Sequence, residues 1–386
     1  MKLLKWNVFT LFVVFLIAIW SFLHFSYSGS YTAVNYNTKP EMIYSDISHC
    51  LKPHYLKEYK AHCWGECKEG EVCQEPVSYE DTTAKRAELK CLGNLNLVGV
   101  RKSGTTGVLS WFIIRKDIAV RHSDFRIKDM QCPIDYFSAC SQTKDCNQNL
   151  GAVYFNKEQL QKGYFQSSPG NLLINDKVTR NSTHITISTP MQYLGFMSTP
   201  ETKFYVQLRN PTERTISYLF HWHNKKWQNL FSNMTLEEMD GKFVDGVIRT
   251  YLHKLEKCIK EHGDFYCAYL SDGLDGDLNC LLQHSMYVVY IKEAFKFIPK
   301  SQFLFTTIDE YSKNNVKSAR QLNQFFGLTL PEKIINSLSS KNRQNVGSKN
   351  PVWASTRRLL DEFYAPYNRE LAHLLDDDKW LFKTDT

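Results

Sequence analysis

The stretch LNLVGVRKSGTTGVLSWFII, residues 95–114, constrains the fold more than any other part of the chain. An apolar segment of strand type leads into a turn that contains Gly99 and Gly104, and apolar residues at helical spacing follow. The pattern predicts a strand at 95–100 and a helix at 106–115. A strand, a glycine-containing turn and a helix N-terminus form a common geometry for binding an anion through backbone N–H groups.

The turn differs from the phosphate loop of nucleotide triphosphatases, which reads G-x-x-x-x-G-K-[ST]. Gly99 and Gly104 have the required spacing, but Thr105 stands where that loop has its lysine. The basic residues Arg101 and Lys102 come before the second glycine instead. With the lysine moved, and no obvious apolar strand ending in aspartate to hold a metal, hydrolysis of a triphosphate is not expected.

Strand and helix patterns alternate from residue 95 onward, which predicts an α/β domain with a mainly parallel central sheet flanked by helices. One helix has a clear start, because Asn210 suits the N-cap, Pro211 the first helical position and Glu213 the third. The other elements expected are strands at 204–208 and 302–307 and helices at 284–297, 316–326 and 356–375.

An almost unbroken apolar run without a charged residue, WNVFTLFVVFLIAIWSFLHF, occupies residues 6–25. It has about the 20 residues that a membrane-spanning helix requires, and the two lysines before it predict a cytoplasmic N-terminus. We expect a cytoplasmic tail at 1–5, a signal anchor at 6–25, a lumenal stem with a cysteine-rich lead-in at 26–90 and the functional domain at 91–386. A cleaved signal peptide is the alternative.

The chain has 11 cysteines, a number that fits an oxidising lumen, where disulfides are expected. The odd count leaves one thiol free or linked to another chain. A zinc site at Cys63, Cys67 and Cys73 is disfavoured, because no further ligand follows at the spacing of a zinc finger. The sequons at Asn181 and Asn233 are compatible with lumenal glycosylation.

A second basic segment, LRNPTERTIS, places Arg209 at a strand end, Arg214 within the next helix and Ser217 eight residues after Arg209. Arginine at such a position suits the binding of a phosphate, although pairing with an acidic neighbour is the alternative. The chain has 47 Lys and Arg against 40 Asp and Glu, a net charge of +7. This excess suits an anionic ligand where it is clustered and does not point to nucleic acid, so no nucleic-acid partner is expected.

The two basic segments resemble those of the Golgi carbohydrate sulfotransferases. RKSGTT after a strand is similar to that family's 5′-phosphosulfate loop, and LRNPTER with the later serine is similar to its 3′-phosphate segment. QFLFTTIDEYSKNN and TRRLLDEFYAPYNRELAHLL resemble its C-terminal elements. The resemblance spans about residues 90–382 and is nearest to the type that 6-sulfates GalNAc 4-sulfate in chondroitin, with heparan sulfate sulfotransferases next.

The resemblance implies the P-loop-like sulfotransferase fold and the co-substrate 3′-phosphoadenosine 5′-phosphosulfate, with no metal required. It implies a single-pass type II Golgi membrane enzyme whose lumenal domain sulfates an anionic glycan of the chondroitin or dermatan sulfate type. The residues that it places at the donor are Arg101, Lys102, Ser103, Gly104, Thr105, Thr106, Arg209 and Ser217. The basic loop KNRQNVGSK is the counterpart of a further donor segment and adds Arg343, Gly347, Ser348 and Lys349.

The resemblance also implies catalytic roles. Lys102 is expected to stabilise the charge that develops on the leaving phosphate. A general base must accept the proton of the attacking hydroxyl, and Asp129 in RIKDMQCPIDYF resembles the glutamate of the family's Lys-Glu pair. The shorter aspartate must lie about a methylene closer, and His122 and Asp135 are alternatives.

Three other functions remain open at the level of the sequence. The first is a heparan sulfate O-sulfotransferase that uses the same donor. The second is a lumenal kinase or hydrolase that uses the glycine-containing turn together with Mg²⁺. The third is a glycan-binding relative that has lost catalysis, although the presence of both Lys102 and Arg209 argues against it.

Overall fold

The computed structural model describes residues 41–44, 54–56, 61–64, 88–92, 95–114, 119–122, 153–156, 164–167, 177–180, 184–224, 240–269, 281–332, 335 and 352–382. The chain divides into one unit of Met1–Glu41 with Arg180–His184 and a second of Met42–Thr179 with Ile185–Thr386. Of the first unit, only residues 41, 180 and 184 are among those described.

The strands in the described ranges are β1 Glu41–Tyr44, β2 His54–Leu56, β3 Ala61–Trp64, β4 Glu88–Leu92, β5 Leu95–Gly99, β6 Ala119–His122, β7 Val153–Asn156, β8 Tyr164–Ser167, β9 Lys177–Arg180, β10 His184–Ser188, β11 Lys203–Leu208 and β12 Phe303–Thr307. The helices are α1 Thr105–Ile114, α2 Pro190–Met197, α3 Pro211–Asn224, α4 Gly241–His262, α5 Asp264–Tyr269, α6 Tyr287–Phe297, α7 Ile308–Lys313, α8 Asn315–Phe326 and α9 Ala354–Leu375. Short 3₁₀ turns occupy Gln283–Ser285, Lys300–Gln302 and Asp378–Leu381.

The central sheet has five strands in the order β12-β11-β5-β8-β6. Every neighbouring pair in it is parallel. The carboxyl ends of all five strands therefore lie at one edge, where parallel sheets carry their ligand sites. The predicted parallel α/β sheet is confirmed. A four-stranded sheet of order β2-β3-β4-β7, antiparallel throughout, and a three-stranded sheet of order β1-β10-β9 accompany it.

Helices cover both faces of the central sheet, as a parallel sheet requires. On β11, Phe204, Val206 and Leu208 belong to the larger apolar cluster, which α3, α4, α6 and α9 also line. Tyr205, which points to the other face, belongs to a smaller cluster formed with α1 and α8. The strand reads as a nearly continuous apolar run because both of its faces are buried.

The helix predicted at 284–297 begins later than expected, at Tyr287. Residues Gln283–Ser285 form a 3₁₀ turn, with the N–H of Ser285 bonded to the carbonyl of Leu282. The carbonyls just before this turn accept hydrogen bonds from distant side chains, Leu281 from Arg214 and Leu282 from Tyr364. The 3₁₀ turn replaces the first residues of the expected helix.

The Cys258–Cys267 disulfide joins the end of α4 to α5. It agrees with the prediction of disulfides in this chain. The register of the antiparallel sheet also places Cys63 opposite Cys91.

The predicted membrane anchor at 6–25 lies outside the described residues. Among the residues that are described, none belongs to a helix with the length and apolar character needed to cross a bilayer. The division into a tail at 1–5, a stem at 26–90 and a domain at 91–386 stays a prediction.

A buried polar layer joins α3, the 3₁₀ turn at Gln283–Ser285 and α9. The Thr215 hydroxyl lies 3.0 Å from Ser285 Oγ and 2.9 Å from the Tyr364 hydroxyl. Arg214 is fully buried beside them and donates from Nη1 to the carbonyl of Leu281 at 3.1 Å. These bonds satisfy polar groups that would otherwise be costly to bury, and they fix how the three elements pack.

His284 is buried in the same layer. Burial lowers the pKa of this imidazole well below its ordinary range, and the positive charges of Arg214 and Arg101 act in the same direction. The unfolded chain binds a proton at His284 near the ordinary pKa of about 6.5, whereas the folded protein does not. Stability therefore falls as the pH drops through that value.

We expect the free energy of unfolding to decrease between pH 7.5 and pH 5.5, and His284→Gln to remove up to about 1.4 kcal/mol of that decrease. Denaturant unfolding of both proteins at the two pH values measures the difference. His373→Gln is the matched control, because His373 is an exposed residue of α9. An identical pH dependence in wild type and His284→Gln would contradict the expectation.

Candidate functional site

A tight turn connects β5 to α1 at the carboxyl edge of the central sheet. Gly99 ends β5 and Thr105 begins α1. The N–H of Ser103 bonds to the carbonyl of Val100 at 3.1 Å, and the N–H of Val100 bonds to the carbonyl of Gln207 in β11 at 3.0 Å. The turn therefore continues the pairing of two neighbouring strands and directs the chain into a helix N-terminus, as the sequence predicts.

Two residues of the turn have left-handed backbone conformations, Lys102 with φ 70° and Gly104 with φ 83°. At Gly104 a side chain is excluded by space as well, because an added Cβ would lie 2.9 Å from Ile308 Cδ1. Lys102 has a Cβ, and the left-handed conformation costs such a residue of order 1 kcal/mol or more. A strained lysine in a phosphate-binding type of turn is a candidate functional residue.

Two arginines hold the turn from outside by donating to its carbonyls. Arg209 follows β11 and donates from Nη1 to the carbonyl of Lys102 at 3.4 Å. Arg214 in α3 donates from Nε to the carbonyl of Arg101 at 3.3 Å. The two motifs found in the sequence, about 100 residues apart, thus meet in space.

The side chains of the turn differ in their access to solvent. Ser103 and Thr105 are buried, Arg101 and Lys102 are half-buried and Thr106 is exposed. An anion at the start of α1 can therefore meet the Thr106 side chain and backbone N–H groups at the helix N-terminus. The Ser103 side chain is buried and is not exposed to such an anion from the solvent.

Tyr287 forms a hydrogen bond with the backbone of Arg209. It is buried at the start of α6, and its hydroxyl donates to the carbonyl of Arg209 at 2.9 Å. Burial raises the pKa of Tyr287 to about 12, so that its hydroxyl stays protonated and can donate.

Glu213 and Ser217 lie on one side of α3 at four-residue spacing, and Arg209 lies just before the helix. The helix begins as the sequence predicts, at Pro211, and the Asn210 side chain accepts the N–H of Glu213 at 3.2 Å. Ser217 is half-buried. Burial lowers the pKa of Arg209, and nearby Tyr287 and Asp309 oppose this effect.

The other residues predicted for the site fall largely outside the described residues. His122 ends β6, and its backbone pairs with Ser167 of β8 at the same carboxyl edge of the sheet as the turn. Nothing is described of its side chain. The predicted residues outside the described ranges are Asp129, Arg343, Gly347, Ser348 and Lys349 at the active site and Asn181 and Asn233 at the sequons.

The part of the chain that the structure describes contains no group of three or more His, Cys, Asp or Glu side chains able to hold a metal ion. The expectation that no metal is required stays a prediction.

Arg357 is a neighbour of the site that the sequence does not single out. It lies in α9 and forms an ion pair with Glu213. In the sequence it stands in TRRLL beside Arg358, more than 140 residues from Glu213, and nothing local distinguishes the two arginines. The packing of α9 against α3 brings it into place.

This arrangement suits a small molecule that carries two anionic groups. The turn and the N-terminus of α1 offer one cationic position, with Lys102 and backbone N–H groups. Arg209 and Ser217 offer a second. Because Arg209 touches the backbone of Lys102, a single small molecule can reach both positions.

Residues 93–364 match the protein family described as Sulfotransferase domain. Carbohydrate sulfotransferase 15 of Mus musculus is 28% identical over 191 residues, which are 48% of this chain and 32% of that protein. The Homo sapiens protein of that name is 26% identical over the same shares. The match thus spans about a third of the length of these relatives.

The crystal structure of a sulfotransferase from Alicyclobacillus acidocaldarius is similar with a TM-score of 0.44 and 17% identity, over 75% of this chain and 98% of that chain.

The family match includes the turn with Lys102, the end of β11 with Arg209 and the first half of α9. The resemblance drawn from the two basic segments is confirmed at the level of the sulfotransferase family, and the similarity to carbohydrate sulfotransferase 15 agrees with it. On this evidence the chain belongs to the sulfotransferase domain family.

Proposed function

We propose that the protein is an enzyme that transfers the sulfuryl group of 3′-phosphoadenosine 5′-phosphosulfate to a hydroxyl of a glycan. The single observation that carries this proposal is the contact of the Arg209 guanidinium with the backbone of Lys102, within a chain of the sulfotransferase family. That contact joins the turn suited to the 5′ end of the donor to the strand end suited to its 3′-phosphate.

The donor supplies an activated sulfuryl group. Thr106 and the N–H groups at the start of α1 bind the 5′-phosphate, with Lys102 beside the bridging oxygen. Arg209 and Ser217 bind the 3′-phosphate, and Tyr287 keeps the Arg209 backbone in place. The bond from sulfur to the bridging oxygen breaks as the acceptor oxygen attacks, and Lys102 stabilises the negative charge that develops on the leaving phosphate.

The acceptor hydroxyl must lose its proton during the attack, and Asp129 is the proposed base, with His122 as the alternative. The proton moves from the acceptor oxygen to this group. The released product is 3′-phosphoadenosine 5′-phosphate.

The proposed acceptor is an anionic glycosaminoglycan of the chondroitin or dermatan sulfate type. The similarity to carbohydrate sulfotransferase 15 supports a carbohydrate acceptor, and the net charge of +7 suits an anionic polymer. Heparan sulfate is the alternative acceptor.

We place this activity in the Golgi lumen, on a single-pass type II membrane protein. The apolar run at 6–25 after two lysines supports the anchor, and the Cys258–Cys267 disulfide supports an oxidising compartment. The proposal further includes glycosylation at Asn181 and Asn233 and donor contacts from Arg343, Gly347, Ser348 and Lys349.

The test is incubation of the full chain in detergent with radiolabelled donor and separate chondroitin, dermatan and heparan sulfate acceptors, with and without EDTA. We expect label on the chondroitin or dermatan chains, unchanged by EDTA. Tight donor binding without transfer would favour a non-catalytic glycan-binding relative. Absence of donor binding would overturn the sulfotransferase proposal, and transfer that EDTA abolishes would contradict the metal-free mechanism.

For Lys102, the informative variant is Lys102→Gly, because glycine accepts φ 70° without strain. We expect transfer to fall by about 10²-fold or more as the charge is lost, with a melting temperature equal to or above that of the wild type. Initial rates and thermal unfolding measure the two effects. Lys313→Ala, at the exposed end of α7, is the control. Full activity in Lys102→Gly would exclude the proposed role.

For the base, we expect Asp129→Asn to lower kcat by about 10²-fold or more and to remove the low-pH limb of the rate profile, because the amide cannot accept the proton. Initial rates from pH 5 to pH 9 measure both. The same series on His122→Gln tests the alternative. Unchanged turnover in Asp129→Asn, with a loss in His122→Gln, would reassign the role to the histidine.

A further inference from the structure

Two arginines from distant parts of the chain contact one carboxylate at the candidate 3′-phosphate position. One lies just before α3 and the other lies in α9. Arg209 Nη2 lies 3.7 Å from Glu213 Oε2, and Arg357 of α9 contacts Glu213 Oε1. Glu213 stands four residues after Arg209 and four before Ser217. The carboxylate therefore contacts one of the residues that the proposed function assigns to the 3′-phosphate and lies one helical turn before the other.

These three side chains are open to solvent. The exposed fraction of the side chain is 28% for Arg209, 39% for Glu213 and 36% for Arg357. Ion pairs at such exposure contribute little to stability. A second polar contact joins α9 to α3, because the hydroxyl of Thr212 donates to Asp361 of α9 at 2.5 Å.

The two guanidiniums are close enough to repel each other. Burial lowers the pKa of Arg357, Asp361 opposes this effect and the charge of Arg209 adds to it. Glu213 is the carboxylate that contacts both arginines, while Asp361 acts on Arg357 and Asp309 acts on Arg209. A phosphate offers more charge and more acceptor oxygens, and it matches the planar geometry of two guanidiniums.

Resting on the proposed function, we propose that Arg357 binds the 3′-phosphate of the donor together with Arg209, and that Glu213 competes with this phosphate for the two arginines. Arg357 then provides selectivity for nucleotides that carry the 3′-phosphate. Glu213 sets the affinity by occupying both cations in the free protein.

Two changes are expected to act in opposite directions. Arg357→Ala removes a cation from the phosphate and weakens its binding. Glu213→Gln keeps the size of the side chain but removes the competing charge, and it strengthens binding. A carboxylate that only positioned Arg209 would give a loss of affinity in Glu213→Gln, so the sign of this effect separates competition from positioning.

The test is isothermal titration calorimetry of the full chain with 3′-phosphoadenosine 5′-phosphate and with adenosine 5′-phosphate, which lacks the 3′-phosphate. We expect Arg357→Ala to raise the Kd of the first nucleotide about 10-fold or more and to change that of the second less than twofold. Arg357→Lys, which keeps the charge without the planar fork, is expected to lie between wild type and Arg357→Ala. Glu213→Gln is expected to lower the Kd of the first nucleotide several-fold.

Arg358→Ala is the matched control, because Arg358 is the exposed neighbour of Arg357 in α9. It is expected to bind both nucleotides as the wild type does. Thermal unfolding of each variant shows that it is folded.

Equal weakening of both nucleotides in Arg357→Ala, or weaker binding in Glu213→Gln, would overturn the assignment while leaving the proposed function intact. A wild-type protein that binds neither nucleotide, or does not prefer the one with the 3′-phosphate, would overturn the proposed function and this assignment with it.

Discussion

The site depends on two arginine side chains that donate hydrogen bonds to consecutive carbonyls of one turn. Arg209 bonds to the carbonyl of Lys102, and Arg214 bonds to that of Arg101. A turn with two residues in left-handed conformations needs such external contacts to keep one shape. The carbonyls point toward the arginines, which fixes the orientation of the peptide planes between β5 and α1. The position of the Lys102 side chain follows from this.

Much of the fold could be predicted because its signals are local. The strand at 95–100, the turn and the helix after it are coded by apolar spacing and glycine. The start of α3 at Pro211 is coded by the Asn210 cap. Strands of a parallel sheet are buried on both faces, so that they read as apolar runs. β11 is such a strand, and its apolar run predicts it from the sequence.

The features that could not be predicted arise from contacts between distant segments. The pattern at 284–297 is helical, but Gln283–Ser285 form a 3₁₀ turn and the helix begins at Tyr287, close to carbonyls of Leu281 and Leu282 that accept from Arg214 and Tyr364. Arg357 and Arg358 are equivalent in the sequence, yet the packing of α9 brings the first to Glu213. Sequence motifs identify the residues that bind a ligand. The side chains that contact those residues from distant segments depend on tertiary packing, which a local pattern does not predict.

The fully buried Arg214 has a consequence for how the protein attracts anions. Its guanidinium donates to three neutral oxygens, from Arg101, Leu281 and Ser285, and its carbon lies 4.5 Å from the centre of the Tyr218 ring. The charge is fully buried and lies against the backbone of the turn. Dissolved ions cannot approach it closely, so added salt screens it less than it screens a surface lysine. Arg214 therefore contributes a positive potential at the anion-binding turn. This contribution decreases less with rising ionic strength than the attraction from surface lysines does.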